Sequence, residues 1–188
     1  MDKKIQYFAC KITDFLLLED SEYEIVLYGV HEMIIILLNI FTVIVFGVLW
    51  KNLLFAVVFL IDFMMLRPYA GGYHADTEFR CYLLSVVVIN ILLAMEHFFF
   101  IQLEQILVLV IFPATFVFAY APVENDKNSL SLDEKEIYRK KARRTLGFSL
   151  LLLLISAVLG WNIVCQGMFC SIFLVALSLI TGIIKYSS

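Results

Sequence analysis

The sequence predicts an all-α polytopic membrane protein, with about six transmembrane helices and an N-terminal amphipathic helix at the interface. Three observations predict it. The 188 residues are 62% hydrophobic, against the 45–50% usual for soluble domains. Mean hydropathy is +0.92, an excess that a soluble core of this size does not need. The apolar residues also fall into runs near the roughly 20 residues that cross a bilayer as helix. Seventeen Phe and nine Tyr suit such a chain, because aromatic side chains fill spans and belt both interfaces.

The elements follow in order. Residues 1–24 read as an amphipathic cytoplasmic segment. Ile5, Phe8, Ala9, Ile12 and Leu16 share one helical face, and Lys3, Lys4 and Lys11 would meet anionic headgroups or pack on the protein. This opening alternates polar and apolar residues and has no small-residue cleavage site, so it does not read as a signal peptide. Spans are expected at about residues 26–50, 52–66, 81–95, 103–120, 145–164 and 168–184. The polar stretch 121–144 is expected as a basic cytoplasmic loop. No internal repeat is visible, and residues 1–188 read as a single membrane-embedded domain.

Charge tests the count. With six spans, both termini and the loops after spans two and four share one side. That side holds all but Lys51 of the 14 Lys and Arg residues. Such a bias marks the cytoplasmic face. The formal net charge of −3 says little beside this distribution, and nothing in the chain points to nucleic acid.

The stretch "RPYAGGYHADTEFRC", residues 67–81, interrupts the apolar pattern. It contains His74 and Cys81, a His/Cys pair close in sequence. A thiol attacks as its thiolate, scarce at neutral pH because free cysteine titrates near 8.5. A neighbouring imidazole removes that proton and returns it to a leaving amine. One straight helix would hold the pair about 10.5 Å apart along its axis, so the chain has to break between them. Pro68 disfavours helical geometry at Arg67. Gly71 and Gly72 permit turns that other residues resist. Asp76 or Thr77 can cap the following helix. Cys81 then falls in its first turns, near the positive end of the helix dipole, with Arg80 and Arg67 adding to the field. The plain alternative is a packed span cysteine and a polar loop histidine.

This stretch resembles the signature of the accessory gene regulator protein B (AgrB) family, membrane cysteine endopeptidases that process quorum-sensing propeptides in Gram-positive bacteria. The resemblance extends along nearly the whole chain and includes "APVENDK" at residues 121–127. The Arg-x4-Gly-x-His-x6-Cys core carries its specificity. The resemblance implies Cys81 as nucleophile and His74 as its general base, with Arg67 and Gly72 on positions the family pattern retains. It implies an AgrD-like propeptide as partner, a thioester on Cys81, and ring closure to a thiolactone or lactone. A homodimer is suggested by the family alone.

Other residues carry competing readings. Asp62, inside span two, could orient His74, pair with Arg67, or make a structural hydrogen bond to another span, since an intramembrane carboxylate is costly to leave bare. Asp76 could hold His74 but suits an N-cap. Arg139, Lys140, Lys141, Arg143 and Arg144 could anchor the fifth span at anionic lipid or capture an acidic substrate tail. Metal and cofactor sites are not expected. No CxxC pair or zinc spacing appears, and His31-Glu32 lacks the second histidine of HExxH. Cys165 and Cys170 read as unpaired span cysteines, and Cys10 as packing. The rival function is a non-enzymatic membrane protein that binds or exports a peptide. The absence of a GxSG motif and of paired intramembrane aspartates argues against other intramembrane protease classes.

Overall fold

A computed structural model describes residues 23–73, 77–99, 101–124 and 131–186. The expected amphipathic segment, Cys10, His74 and Asp76 lie outside the described residues. Helices are α1 (Tyr23–Leu49), α2 (Leu53–Ala70), α3 (Glu78–Phe98), α4 (Leu103–Leu109), α5 (Ile111–Tyr120), α6 (Leu132–Val158) and α7 (Asn162–Tyr186). The chain divides into two compact units, Met1–Thr42 and Val43–Ser188. In the first, the Asn39 amide donates to the Ile35 carbonyl and the Thr42 hydroxyl to that of Leu38, so both polar groups are satisfied inside their own helix.

The second unit is built around α7, which packs against α2, α4, α5 and α6. Half of the apolar window of α7 is buried, against 17% for α3, which makes α7 the central rod and α3 a peripheral one. The main core joins Leu66 and Ala70 of α2, Ile106 of α4, Val117 of α5, Leu146 and Leu153 of α6, and Ile172, Val175 and Leu179 of α7. A smaller cluster ties Phe55 and Phe59 of α2 to Ile89 and Leu93 of α3. Large side chains such as Leu84, Val87, Ile91, Phe112 and Leu154 remain exposed, as helices in lipid allow, because hydrocarbon solvates them as well as a core does.

Among the described residues, four helical stretches are long and apolar enough to cross a membrane: Leu53–Ala70, Phe79–Phe98, Leu103–Tyr120 and Asn162–Tyr186. Met33–Leu49 is a shorter apolar helix. The protein is membrane-embedded.

Some boundaries differ from the sequence expectation. α2 does not end at Leu66 but runs through Pro68 to Ala70. Pro68 forfeits the bond to the carbonyl four residues earlier and crowds it, yet the helix continues for two residues beyond it. The terminator is Gly71, at φ +71°. The expected span 103–120 is present as Leu103–Tyr120, with a single turn residue, Val110, between α4 and α5. Pro113 cannot donate to the Leu109 carbonyl there. Finally, the basic stretch expected as a loop is helical from Leu132 onward. Ser131 and Glu134 form a capping box: the Ser131 hydroxyl accepts from the Glu134 amide at 3.3 Å, and the Glu134 carboxylate accepts from the Ser131 amide at 2.9 Å. Ala142, Leu146, Ser149, Leu153 and Ser156 then line one buried face at alternating spacings of four and three. Basic segment and apolar segment are one continuous rod.

Candidate active site

α3 brings Cys81 to the site. Thr77 is its N-cap, and the Thr77 hydroxyl accepts from the Arg80 amide at 3.3 Å. Of the two caps the sequence offered, the described one is Thr77. The Cys81 amide bonds the Thr77 carbonyl at 3.0 Å, which places Cys81 in the first turn, where the helix dipole favours an anion. Its side chain is half-buried and its thiol free.

Arg67, in the last turn of α2, reaches toward the same place. Its guanidinium donates to the Gly71 carbonyl and, at 2.6 Å, to the Tyr73 carbonyl. It also interacts electrostatically with Cys81 and with Tyr186. One planar cation thus holds the turn after α2 by two bonds, as the fork of arginine permits, within electrostatic range of the cysteine.

The turn itself is pinned on two sides. The Val123 amide donates to the Ala70 carbonyl at 3.0 Å and the Gly72 amide to the Val123 carbonyl at 3.1 Å, forming a parallel bridge between Gly71 and Val123. On the other side the Tyr73 amide donates to the Ser178 carbonyl of α7 at 2.8 Å. Gly71 and Gly72 have φ of +71° and +108°, and a Cβ on Gly71 would collide with the Val123 oxygen. Both glycines are therefore required by conformation and by space. The described chain stops at Tyr73 and resumes at Thr77.

Asp62 is 5% exposed. Its Oδ1 accepts from the Ser149 hydroxyl of α6, Ser171 of α7 lies beside the same carboxyl, and Oδ2 has no hydrogen-bond partner. Of the sequence readings, the geometry matches the hydrogen bond to another span. Among the described residues, Asp62 makes no ion pair with Arg67.

Arg139, Lys140, Lys141, Arg143 and Arg144 of α6 are all exposed but are not equivalent. The Arg143 Nε donates to the Phe118 carbonyl at 3.2 Å, with its guanidinium 4.3 Å from the Phe118 ring. Lys141 stands 5.5 Å from the Tyr69 ring and 6.0 Å from that of Tyr138, so it bridges α2 and α6. Lys140 pairs with Glu136 one turn back at 2.7 Å, which holds that carboxyl below its ordinary range. Arg139, Lys140 and Arg143, with Lys135, Glu136 and Leu132, line an open depression of about 410 Å³.

Cys165 and Cys170 are free thiols, as the sequence reading favoured. Among the described residues, no group of three or more His, Cys, Asp and Glu could hold a metal ion. The sequence reading missed Val123, Ser178, Gly182, Lys185 and Tyr186. Ser178 and Gly182 lie more than a hundred residues from the turn they touch, and no local pattern marks them.

The model of the Accessory gene regulator B family matches residues 4–184. A protein named as AgrB-like from Clostridium perfringens (strain SM101 / Type A) is 29% identical over 183 residues, covering 91% of this chain and 86% of the relative. A second, named AgrB-like protein 2, from strain 13 / Type A of the same species, is 28% identical over 180 residues, with 89% and 84% covered. No solved structure matches the chain.

Proposed function

The chain belongs to the accessory gene regulator B family, and on that premise we propose that it is a membrane cysteine endopeptidase that matures a cyclic peptide signal. Family membership suggests a role in autoinducer peptide maturation. The protease mechanism, its residues and its sidedness are our reading. The observation that carries it is the placement of Cys81 in the first turn of α3, within electrostatic range of the Arg67 guanidinium that also ties the turn leading to His74.

The substrate is an AgrD-like propeptide lying on the inner membrane surface. His74 takes the Cys81 proton, and the thiolate attacks a peptide carbonyl. The C–N bond breaks, His74 protonates the departing amine, and the C-terminal tail leaves. The remaining acyl group is held on Cys81 as a thioester. A cysteine thiol or serine hydroxyl within the substrate then attacks that thioester and closes the ring, and its proton returns to Cys81 through His74. Thioester exchange is nearly balanced whereas attack by water is strongly downhill. The site therefore has to orient the internal nucleophile and restrict water. The first step is uphill, so removal of the tail or export of the ring pulls the sequence forward.

The rest of the molecule fits this chemistry. Six spans, with both termini and the site on the cytoplasmic face, follow from the positive-inside distribution. The depression along α6 offers Arg139, Lys140 and Arg143 to an acidic tail, and Arg144 and Lys141 to anionic lipid.

Cys81→Ser separates this reading from peptide binding or export. In vesicles with the propeptide encoded beside the gene, wild type should release the tail. Cys81→Ser should bind the propeptide nearly as well and release nothing. Equal tail release by Cys81→Ser would refute the nucleophile.

A further inference from the structure

α7 presents one face to the turn before His74. Gly182, Lys185 and Tyr186 follow Ser178 by four, seven and eight residues, the spacing of a single helical stripe. Each of the four meets the turn or its clamp. The Ser178 carbonyl takes the Tyr73 amide at 2.8 Å. Gly182 is buried, and a Cβ there would lie 2.8 Å from the Tyr73 nitrogen and 2.9 Å from the Gly72 Cα. The Lys185 ammonium stands 5.0 Å from the Tyr73 ring centre. Tyr186 interacts with Arg67, which itself binds the Tyr73 carbonyl. Conversely, a Cβ on Gly72 would lie 2.7 Å from the Ser178 oxygen. Backbone meets backbone because both contacting residues, one on each side, are glycine.

We propose that Gly182 is a positioning residue for the catalytic pair: by letting Gly72 and Tyr73 seat directly on α7, it fixes where the chain leaves Tyr73 and so where the base one residue later is delivered to Cys81. The inference rests on the protease reading for its consequence, but not for the contact itself. The last helix, far from the motif in sequence, is then the platform of the site. A helix carbonyl at Ser178 that takes the Tyr73 amide at 2.8 Å is a directed contact rather than general packing. A displacement of about 1 Å in such a contact is enough to cost roughly a hundredfold in rate.

The test compares Gly182→Ala with Gly147→Ala, full-length and in lipid. Gly147 is helical, and a Cβ at that position would meet nothing within 4 Å, so it controls for adding a methyl to a membrane helix. Three readouts are needed: hydrogen exchange at the Tyr73 amide, the pH profile of Cys81 alkylation by iodoacetamide, and kcat and KM for propeptide cleavage. Gly182→Ala should speed exchange at Tyr73 by about tenfold or more, since its acceptor is withdrawn. It should move the alkylation profile toward that of His74→Ala and lower kcat at least tenfold with KM and helix content held. Gly147→Ala should match wild type throughout. Unchanged exchange and unchanged kcat in Gly182→Ala would overturn the proposal. If Gly182→Ala loses helix content, the wild type decides: a Tyr73 amide protected as strongly as the amides of α7 supports the seat, whereas an unprotected one overturns the proposal. Faster exchange in Gly182→Ala, with a wild type that neither cleaves nor shows His74-dependent alkylation, would instead remove the protease reading and leave the α7 seat standing.

Discussion

Arg67 links the turn to the cysteine through a single side chain. Two of its N–H groups are used on the carbonyls of Gly71 and Tyr73, and it lies within electrostatic range of Cys81. A lysine keeps the charge but presents one compact ammonium, which cannot bridge the two carbonyls in one plane. Arg67→Lys should therefore lose about a hundredfold in propeptide cleavage while still inserting in the membrane, and equal cleavage would show that only the charge matters. Asp62 is the opposite case. Its bond is to Ser149 on a neighbouring helix, which argues for a packing role. Asp62→Asn preserves an acceptor for that hydroxyl and should leave cleavage within a few fold. Asp62→Ala orphans the hydroxyl and should lower thermal stability in detergent by about 1–2 kcal/mol. A large loss of cleavage in a stable Asp62→Asn protein would return Asp62 to the catalytic group. Of these two roles the sequence displayed neither fully. It marked Arg67 and Asp62 as unusual polar residues, but which carbonyl or hydroxyl each meets depends on how distant segments pack.

Apolar content decides the helices, and local chemistry decides their ends. The apolar stretches of α2, α3 and α7 were legible as spans because hydrophobic runs of that length have few other uses. The start of α6 was present in the sequence as Ser131-x-x-Glu134 followed by Ala142, Leu146 and Ser149 on one face, yet the density of charge hid it under a loop reading. The extension of α2 through Pro68 could not be read, because the next strong terminator, Gly71, is chosen by its pairing with Val123. The capping box carries a pH signature. Hydrogen bonds from Ser131 hold the Glu134 carboxyl below its ordinary value of 4.5. A depressed acid stabilises the fold above its unfolded pKa and loses that contribution as pH falls through the folded one. Protection of the Glu134 and Lys135 amides, taken relative to their intrinsic exchange rates at each pH, should therefore be highest at neutral pH and fall as the pH drops below the ordinary 4.5 of that carboxyl. Ser131→Ala should show the low protection at all pH values, and high, pH-independent protection in that variant would exclude the cap as the cause.

At the scale of the molecule, a membrane-embedded helical chain of the accessory gene regulator B family gathers its proposed reaction at one end of α2, α3 and α7. The motif at residues 67–81 was readable because its residue types are rare in spans and its spacing resembles a family signature. The α7 seat was not, since a serine carbonyl and a glycine in a hydrophobic helix look like any other span residues. Topology is predicted by the same reasoning: single cysteines introduced into a variant lacking the native four should be labelled by an impermeant thiol reagent from the cytoplasmic side at residues 127 and 185, and from the outside at residue 104. Labelling of residues 127 and 185 from opposite sides would contradict six spans. The central claim, that Cys81 becomes acylated, is tested most directly by the intact mass of the purified protein in lipid vesicles after incubation with the propeptide encoded beside it. Wild type should gain the mass of the propeptide without its tail, on Cys81 and removable by hydroxylamine, and neither Cys81→Ser nor His74→Ala should gain it. Propeptide bound by all three proteins, with no adduct and no released tail in any, would contradict the claim and leave a protein that binds or exports the peptide.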